Sequence, residues 1–408
     1  MNKLMSFLIF LFIAGILDLS AQKFVANYEE SKIPHYTLPD PLVFDNGDRV
    51  KNKNDWARRR AEIYKIFENE VYGVTPQWNG KMITNELSFN ENALNGTAIC
   101  REVELIIKNG ARELPLKLLL YLPKSSGKVP VFLGYNFSGN HTVTDEKNIA
   151  LASIWKRAIS DAPVIASESE RGRDESSWQV REIVKRGYGL ATIYYCDADP
   201  DFDDGFKNGI HGLFGQQADD KSWGSLAAWA WGLSRALDYL ETVSSVDAKK
   251  VIVFGHSRLG KAALWAGASD KRFAMAISNN SGCGGAALSK RIFGETVGSI
   301  NRQFTHWFCD NFNKYNEKEE MLPVDQHQLL SLIAPRPVYV ASAEDDKWAD
   351  PKGEFLSCVA ASPVYFMLGG KGFPASTMPV VNSPVIGSIG YHIRTGGHDV
   401  TLYDYYPF

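Results

Sequence analysis

The fold is indicated by the stretch VIVFGHSRLGK, which runs from Val251 to Lys261. Four apolar residues of strand character lead into a glycine, then a serine between bulky neighbours, a second glycine and a helix-forming run. This order is typical of a nucleophile elbow, a tight strand-to-helix turn that presents a serine hydroxyl at the top of a sheet. The spacing is Gly-x-Ser-x-x-Gly, one residue longer than the usual form. An ordinary turn with a capping serine is therefore the alternative interpretation of Ser257.

The composition is that of a globular protein with a large core. Of the 408 residues, 45% are hydrophobic and 22% are charged, which is an ordinary balance for such a protein. The formal net charge is −3, so no basic surface points to a nucleic-acid partner. The five cysteines are widely spaced and contain no C-x-x-C pair. Their number permits one or two disulfides, and the sequence leaves the pairing open.

The first residues predict export from the cytoplasm. Lys3 supplies a positive start, and the apolar run from Leu4 to Leu17 is too short to span a bilayer. Ser20-Ala21 then offers small residues for cleavage. We predict a signal peptide over residues 1–21, a mature chain that starts near Gln22, and a secreted or periplasmic protein with no membrane partner.

Strands and helices alternate along most of the chain, which favours a doubly wound sheet with helices on both faces. A β-hairpin around Asn109-Gly110 makes this mostly parallel sheet a mixed one. With the elbow, this pattern predicts the α/β class and an α/β-hydrolase fold, a three-layer αβα sandwich. The predicted strands are Val103–Ile107, Leu114–Leu122, Val129–Tyr135, Gly189–Tyr195, Val251–Phe254, Phe273–Ser278 and Val338–Ala343, and a long helix is predicted over Trp223–Leu240.

A single domain is predicted over residues 22–408, with two additions to the sheet. The first is an N-terminal wrap over about residues 22–98, polar and rich in proline at its start. It contains a predicted helix from Asp55 to Tyr72, capped by Asn54, with Arg58–Arg60 on a solvated face. The second is an inserted region over about residues 141–185, which is rich in charge and has no clear strand.

A serine nucleophile needs a base, and the base needs an acid that orients it. In the chain order of the α/β-hydrolases the histidine follows the serine, from a loop after the last strands. His398, in the glycine-rich loop TGGHD, fits this order best, with His392 in reserve and His256 expected to be a packed neighbour. The acid should follow the strand Val338–Ala343, where four carboxylates occur within seven residues, namely Glu344, Asp345, Asp346 and Asp350.

Ester hydrolysis also needs donors for the tetrahedral oxyanion. The backbone N–H of Arg258, the residue after the serine, is one candidate. A second candidate is the loop Asn136–Asn140 after the strand Val129–Tyr135. The Arg258 side chain could add a positive charge at the same oxygen, and a salt bridge at the helix start is the alternative interpretation.

Several short motifs beyond the elbow recur together in one known family. They are GHSRLGK at 255–261, SGCGG at 281–285, HWF at 306–308, LPVDQH at 322–327 with APRP at 334–337, WADP at 348–351, YHIR at 391–394 and GHDVT at 397–401. With these motifs the chain resembles the glucuronoyl esterases, carbohydrate esterase family 15, from about residue 50 to the end. The resemblance implies Ser257 as nucleophile, Arg258 as a stabiliser of the oxyanion, and Lys261 as a contact to hydroxyls of the glucuronate ring.

The chain departs from the fungal members at two positions. They carry the catalytic glutamate where this chain has Asn280, and an amide cannot supply the charge that stabilises an imidazolium. Bacterial members with the acid after the later strand imply Asp346 for that role, and they imply Glu295 and Trp348 as contacts to sugar hydroxyls. Fungal members also have a disulfide-bonded cysteine where this chain has His256, so that bridge cannot form here.

The resemblance implies a serine-type carboxylic ester hydrolase that acts on xylan. Its substrate would be the ester between a (4-O-methyl-)glucuronate side chain of xylan and a lignin alcohol, cleaved by Ser257, His398 and Asp346. We expect no metal and no organic cofactor, a glucuronoxylan or lignin–carbohydrate partner, and a monomer. The alternatives are an acetyl-xylan esterase or general carboxylesterase of the same fold, and a non-catalytic carbohydrate-binding relative. The sequence does not predict the preferred alcohol or the need for the 4-O-methyl group.

Overall fold

The computed structural model describes residues 24–156, 162–215 and 219–407. The predicted signal peptide, residues 1–21, lies outside the described residues. Within the described ranges, no helix combines the length and the apolar sequence needed to cross a bilayer.

A mixed sheet forms the centre of the molecule. The strands of the described residues are β1 Lys81–Asn92, β2 Ala98–Asn109, β3 Arg112–Pro123, β4 Val129–Asn136, β5 Ser153–Ile154, β6 Val164–Ile165, β7 Gly189–Tyr194, β8 Val246–His256, β9 Met275–Asn279, β10 Val338–Ala343 and β11 Ile389–Arg394. Nine of them form one sheet in the order β1-β2-β3-β7-β4-β8-β9-β10-β11, and β5 and β6 pair separately. From β7 to β11 the neighbouring strands are parallel, whereas β1, β2, β3 and β7 pair antiparallel. This topology confirms the predicted mixed, mostly parallel sheet.

Helices cover both faces of this sheet. The α-helices are α1 Lys53–Phe67, α2 Ala93–Gly96, α3 Glu175–Trp178, α4 Val180–Lys185, α5 Tyr195–Ala198, α6 Gly209–Phe214, α7 Ser225–Leu240, α8 Arg258–Ser269, α9 Val297–Gln303, α10 Gln326–Ile333 and α11 Pro351–Met367. A π-helix spans Glu68–Tyr72. The 3₁₀-helices are Glu30–Lys32, Asn140–Thr142, Glu168–Glu170, Ser289–Arg291, Asp310–Tyr315, Glu319–Met321, Lys347–Ala349 and Leu402–Tyr405.

The alternation of side chains along the strands separates two apolar cores. In β3, Leu118 and Leu120 face one core, and Leu119 and Tyr121 face the other, as expected for a strand buried on both sides. The first core is completed by α1, α7, α8, α10 and α11, and the second by α2, α3, α4 and the 3₁₀-helix that contains Tyr405. The result is the predicted three-layer αβα sandwich.

The first helix differs from its prediction in its cap and in its arginines. Asn52, not Asn54, accepts the hydrogen bonds that cap α1. Of the three arginines, only Arg58 is well exposed. Arg59 is buried beside two carboxylates, and Arg60 donates to backbone carbonyls near α8 and α10. The predicted solvated face is therefore wrong for two of its three residues, because distant elements supply their partners.

All five cysteines lie in the described residues. Each of them is buried, and none is bonded to another. The pairing that the sequence left open therefore does not occur in the described part of the chain, and the two apolar cores hold the domain together without a cross-link.

Candidate active site

Ser257 lies at the turn between β8 and α8, as the elbow pattern predicts. Its φ is 57° and its ψ is −129°, a region that costs about 1–3 kcal/mol for a residue with a side chain. A Cβ atom at Gly255 would overlap the carbonyl of Leu259, and one at Gly260 would lie 3.0 Å from a serine hydroxyl of β9. The turn therefore needs glycine at position 255 and favours it at position 260, and it holds the serine at the carboxyl end of the sheet.

A chain of hydrogen bonds links this serine to a buried carboxylate. His398 Nε2 lies 2.9 Å from Ser257 Oγ, and His398 Nδ1 lies 2.7 Å from Asp346 Oδ2. His398 comes from the glycine-rich loop after β11, and Asp346 comes from the loop after β10. The carboxylate is buried, whereas the imidazole side chain is 42% exposed. This arrangement can remove the serine proton at Nε2 while the carboxylate holds the proton on Nδ1.

Asn280 contributes to the same chain. Its Nδ2 donates to Asp346 Oδ2 at 2.7 Å, so one carboxylate oxygen accepts from both the imidazole and the amide. Burial alone would raise the pKa of Asp346. The hydrogen bonds from His398 and Asn280 lower this pKa by a larger amount, so the net shift is downward. The carboxylate is therefore ionised at neutral pH. Asn280 therefore acts as a donor to the carboxylate that is predicted to be the acid.

The other three carboxylates of this loop have different surroundings. Glu344 and Asp345 are exposed. Asp350 caps α11 by accepting from the backbone N–H of Gly353, and it is paired with Arg291 at 2.8 Å. Of the four candidates in the sequence, Asp346 is the one that is hydrogen-bonded to the histidine of the site.

The two other histidines considered for the base have other partners. His392 is fully buried in β11, and its Nε2 lies 3.0 Å from Asp404. His256 lies 2.6 Å from Asn279 Oδ1 through its Nδ1. The rings of His256 and His398 are neighbours, with centroids 4.6 Å apart. His256 is thus a packed neighbour of the histidine that contacts the serine.

A single buried carboxylate anchors the Arg258 side chain. Arg258 Nη1 donates to Asp201 Oδ2, and Tyr195 donates to the same oxygen at 3.0 Å. The other oxygen, Oδ1, lies 3.0 Å from His306 Nε2 and 2.8 Å from Trp307 Nε1. Burial alone would raise the pKa of Asp201. Its contacts with His306 and Arg258 lower this pKa by a larger amount, so the net shift is downward. The salt bridge considered as the alternative for Arg258 is therefore present.

This salt bridge does not remove Arg258 from the site. Its Cζ lies 4.8 Å from the ring centre of Trp307 and 5.4 Å from that of Phe304, and the side chain borders the same cavity as Ser257. Its Nε is buried and has no hydrogen-bond partner among the described residues. The ion pair fixes a positive charge beside the serine, as a preorganised oxyanion donor requires.

One cavity of about 320 Å³ gathers the predicted residues. It is lined by all seven residues predicted for the site, namely Ser257, Arg258, Lys261, Glu295, Asp346, Trp348 and His398. They come from the ends of β8 and β10, from α8, and from the loops before α9 and after β11. Parallel strands bring such distant segments to one edge of a sheet, which is why a site forms there.

The ammonium of Lys261 is held by three acceptors inside the protein. It donates to the carbonyls of Ser281 at 2.7 Å and Cys283 at 2.6 Å, and it lies 3.2 Å from Glu295 Oε2. These acceptors match the three protons of an ammonium group. Glu295 Oε1 has no hydrogen-bond partner in the described part of the chain. The backbone carbonyl of Trp348 accepts from the Glu295 N–H at 3.0 Å, which fixes Glu295 and Trp348 side by side.

Three further residues of this cavity were given no role from the sequence, although Trp307 belongs to the motif HWF quoted above. Gln303, Phe304 and Trp307 lie at the end of α9 and just beyond it, and they line the same cavity as Ser257. The rings of Phe304 and Trp307 are stacked, with centroids 3.6 Å apart. In a sequence, two aromatic residues three positions apart look like ordinary core residues, so only the family motif HWF drew attention to Trp307, and nothing marked Phe304.

The loop Asn136–Asn140 does not border the cavity of Ser257. Phe137 and Ser138 line a separate cavity, and the amides of Asn136 and Asn140 bond to one another and to neighbouring strands. The prediction of a second oxyanion donor from this loop therefore has no support in the structure. Among the described residues, no group of three or more His, Cys, Asp and Glu side chains could hold a metal ion.

The fold, the strained turn and the Ser–His–Asp arrangement define the class of protein as an α/β-hydrolase. A family model described as glucuronyl esterase, fungi, matches residues 184–369. A carbohydrate esterase of an unknown prokaryotic organism is 48% identical over 397 residues, which cover 95% of this chain and 91% of that protein. The glucuronoyl esterase from Solibacter usitatus has a similar structure, with a TM-score of 0.87 and 47% identity over 92% of this chain and 97% of that one.

A ligand-bound structure is also similar. A serine-to-alanine variant of the glucuronoyl esterase from Sporotrichum thermophile, in complex with methyl 4-O-methyl-beta-D-glucopyranuronate, is 25% identical with a TM-score of 0.56. The alignment covers 81% of this chain and 77% of that one. The chain belongs to carbohydrate esterase family 15, the glucuronoyl esterases, and is a carboxylic ester hydrolase. The family and the enzyme class expected from the sequence motifs are thereby confirmed.

Proposed function

We propose that this enzyme hydrolyses esters of (4-O-methyl-)glucuronate, such as those that join xylan side chains to lignin alcohols. The observation that carries the proposal is the Ser257–His398–Asp346 hydrogen-bonded chain at the edge of a cavity that contains the Lys261–Glu295 pair. A simple acetyl group has no hydroxyl to donate to the free Oε1 of Glu295, whereas a sugar ring offers several.

In this mechanism Ser257 Oγ attacks the carbonyl carbon of the ester while His398 Nε2 takes the hydroxyl proton. The bond between the carbonyl carbon and the alcohol oxygen then breaks, and the alcohol oxygen takes the proton from His398. A water molecule attacks the acyl-enzyme in the same way, which restores the serine hydroxyl and releases the uronic acid. Asp346 stabilises the imidazolium that forms in both halves.

The oxyanion of each tetrahedral intermediate would be stabilised from the Arg258 side. The backbone N–H of Arg258 is in the first turn of α8, where N–H groups have no helical acceptor. Its guanidinium is fixed by Asp201 and by stacked aromatic rings before any substrate binds. Donors that are already fixed need no reorganisation as the charge develops, so they stabilise the transition state more than the ground state.

Sugar hydroxyls would be recognised by Glu295 and Lys261 together. The free Oε1 of Glu295 can accept from a hydroxyl, and the 3.2 Å contact between Lys261 and Glu295 is the longest of the three ammonium contacts. A hydroxyl oxygen can share that ammonium proton. Trp348, beside Glu295 in the cavity wall, would contact the sugar hydroxyls as well.

We also propose that the enzyme acts outside the cytoplasm. Xylan bound to lignin is an insoluble polymer of the plant cell wall, and it cannot enter a cell. The predicted signal peptide agrees with a secreted or periplasmic enzyme.

The proposal is tested by hydrolysis of methyl 4-O-methyl-glucuronate and of 4-nitrophenyl acetate. We expect kcat/KM to be higher for the glucuronate ester and to fall by several orders of magnitude in Ser257→Ala, with unchanged circular dichroism. A higher kcat/KM for the acetate would favour the acetyl-xylan esterase or general carboxylesterase instead. Activity that survives in Ser257→Ala would overturn the assignment of the nucleophile.

A further inference from the structure

The loop that carries His398 is held by one buried arginine. Arg394, the last residue of β11, is 3% exposed. Its Nη1 donates to the carbonyl of Thr395 at 3.0 Å, and its Nη2 donates to the carbonyls of Gly397 at 3.2 Å and Asp399 at 2.5 Å. The last two carbonyls belong to the residues directly before and after His398. A single guanidinium nitrogen therefore contacts the backbone on both sides of this histidine.

A buried carboxylate anchors the guanidinium. Arg394 Nε lies 3.1 Å from Asp404 Oδ1 and 2.9 Å from Asp404 Oδ2. The same Oδ2 accepts from the backbone N–H of Thr401 at 2.7 Å and from its hydroxyl at 3.1 Å. Arg394 directly precedes the loop of residues 395–400, and Thr401 directly follows it. Asp404 therefore joins the two ends of the loop that carries His398.

Two further side chains hold Asp404 in place. His392 Nε2, from β11, donates to Asp404 Oδ1 at 3.0 Å, and Asn279 Nδ2, from β9, donates to the same oxygen at 2.8 Å. Burial alone would raise the pKa of Asp404. Its contacts with His392, Thr401 and Arg394 lower this pKa by a larger amount, so the carboxylate is ionised at neutral pH. The motifs YHIR and GHDVT thus contribute His392, Arg394 and Thr401 to one anchor.

The loop has little rigidity of its own. Gly396 and Gly397 precede His398, and Gly396 has a φ of 99°. A Cβ atom at Gly397 would meet no atom within 4 Å, so this part of the backbone is not enclosed by its neighbours. Glycine loses more conformational freedom on folding than any other residue. The position of the histidine therefore depends on contacts from outside the loop, and Arg394 supplies those on either side of it.

We propose that Arg394 is a positioning residue for the reaction, which places the imidazole of His398 between Ser257 and the departing alcohol oxygen. The inference rests on the proposed function, in which His398 takes a proton from Ser257 and gives it to the alcohol. Both transfers need hydrogen-bond distance, and the 2.9 Å between His398 Nε2 and Ser257 Oγ meets this condition. A misplacement of about 1 Å can lower the rate of such a reaction about 100-fold.

The first test replaces Arg394 by lysine, which keeps a positive charge beside Asp404. The single nitrogen of an ammonium cannot contact three carbonyls and a carboxylate at once. We expect kcat/KM for methyl 4-O-methyl-glucuronate to fall roughly 100-fold. For 4-nitrophenyl acetate we expect a loss of only about tenfold, because 4-nitrophenolate leaves without a proton from His398.

Arg59→Lys is the matched control for this substitution. Arg59 is also a buried arginine paired with carboxylates, but it lies on α1. We expect this control to leave both kcat/KM values nearly unchanged. Equal losses on the two esters in Arg394→Lys would mean that Arg394 only supports the fold, and they would overturn the proposal. A loss on the glucuronate ester of less than about threefold would overturn it as well.

A milder substitution tests the same anchor without the removal of a buried charge. Thr401→Val removes the hydroxyl that donates to Asp404 Oδ2 and keeps the backbone N–H that donates to the same oxygen. We expect kcat/KM for the glucuronate ester to fall about fivefold, the effect of one hydrogen bond, and that for 4-nitrophenyl acetate about twofold. An unchanged ratio of the two values would contradict the proposal even if Arg394→Lys does not fold, which thermal unfolding of each variant determines.

These outcomes are separate from a failure of the proposed function. Wild-type enzyme that does not hydrolyse the glucuronate ester at all would contradict the proposed function itself. Wild-type enzyme that hydrolyses this ester, with the same ratio of the two kcat/KM values in Arg394→Lys and Thr401→Val, would contradict only the positioning role of Arg394.

Discussion

Replacement of Asp346 by asparagine would remove the negative charge from the hydrogen-bonded chain that ends at Ser257. Asp346 Oδ2 accepts from His398 Nδ1 and from Asn280 Nδ2, each at 2.7 Å. In Asp346→Asn only one of the two terminal atoms can accept. If the amide oxygen takes the place of Oδ2, both donors keep an acceptor and the histidine keeps its tautomer, but the charge is lost.

The other orientation of the new amide is worse for catalysis. If its nitrogen takes the place of Oδ2, Asn280 must turn its Oδ1 toward it, an oxygen that is buried and has no hydrogen-bond partner in the described residues. His398 Nδ1 then becomes an acceptor, and Nε2 carries the proton. Such an imidazole cannot take a proton from Ser257.

The size of the effect follows from the loss of both the charge and the tautomer. The same substitution in the triad of a serine protease lowers kcat roughly 10⁴-fold. A tenfold change corresponds to about 1.4 kcal/mol, so the expected loss of transition-state stabilisation is about 5.5 kcal/mol. We expect this loss in kcat, with a small change in KM, because Asp346 touches the histidine rather than the sugar.

The assay is steady-state hydrolysis of methyl 4-O-methyl-glucuronate at neutral pH, with thermal unfolding as a check on the fold. Asp345→Asn is the matched control, since Asp345 is the adjacent carboxylate and is exposed. We expect this control to retain nearly full activity. Asp346→Asn with more than a tenth of wild-type kcat, or an equal loss in the control, would refute the assignment of the acid.

Three further predictions concern the oxyanion, the sugar and a buried acid. Arg258→Lys should lower kcat on the glucuronate ester roughly 10²- to 10³-fold, because an ammonium cannot reproduce the guanidinium held by Asp201, and steady-state kinetics with little change in KM would support this. Glu295→Gln should raise KM for the glucuronate ester roughly thirtyfold, because the loss of one charged hydrogen bond costs about 2 kcal/mol of binding free energy. The KM for 4-nitrophenyl acetate should not change. Burial raises the pKa of Glu354 from 4.5 to about 8, so the folded state keeps a proton that the unfolded state releases. The free energy of unfolding of the wild type should therefore fall by up to about 1.4 kcal/mol per pH unit as the pH rises between these two pKa values. In Glu354→Gln, urea denaturation should show a smaller decrease of this free energy over the same pH range.

Local patterns were sufficient to predict that Ser257 lies at the turn after β8 and that His398 reaches it. The elbow depends on a strand, two glycines and a helix that are consecutive in sequence, and the steric contacts at Gly255 and Gly260 explain why the pattern is so restricted. His398 follows from chain order and from the flexibility of its glycine-rich loop. Both inferences concern segments whose conformation is determined by their own residues.

The acid and the anchor of Arg258 depend on contacts between distant segments. Four carboxylates followed β10, and the family resemblance, not the residues alone, pointed to Asp346. Its burial and its hydrogen bond from Asn280, 66 residues away, are tertiary features. Asp201, 57 residues before Arg258, has no local signal at all, because a single aspartate in a loop is common.

Strand β1 was not predicted for a related reason. Its sequence, KMITNELSFNEN, is mostly polar, and most of its residues are exposed. A strand is recognised in a sequence by the apolar face that it buries. An edge strand such as β1 buries little, so its position is determined by hydrogen bonds to β2 instead.

The charges of the active-site cavity suggest how the ester is distinguished from the acid that the reaction forms. Arg258 is paired with Asp201, and Lys261 with Glu295, and three of these four side chains are nearly inaccessible. Each cation is thus balanced by its own carboxylate, as buried charges require, and Asp346 brings the net charge of these five side chains to −1 while the histidine is neutral, with Asp201 lying behind the cavity wall. A neutral glucuronate ester enters such a cavity without repulsion. The free glucuronate carries a carboxylate of the same sign as Asp346, so repulsion between the two carboxylates opposes the attraction of the product to Arg258 and favours its release.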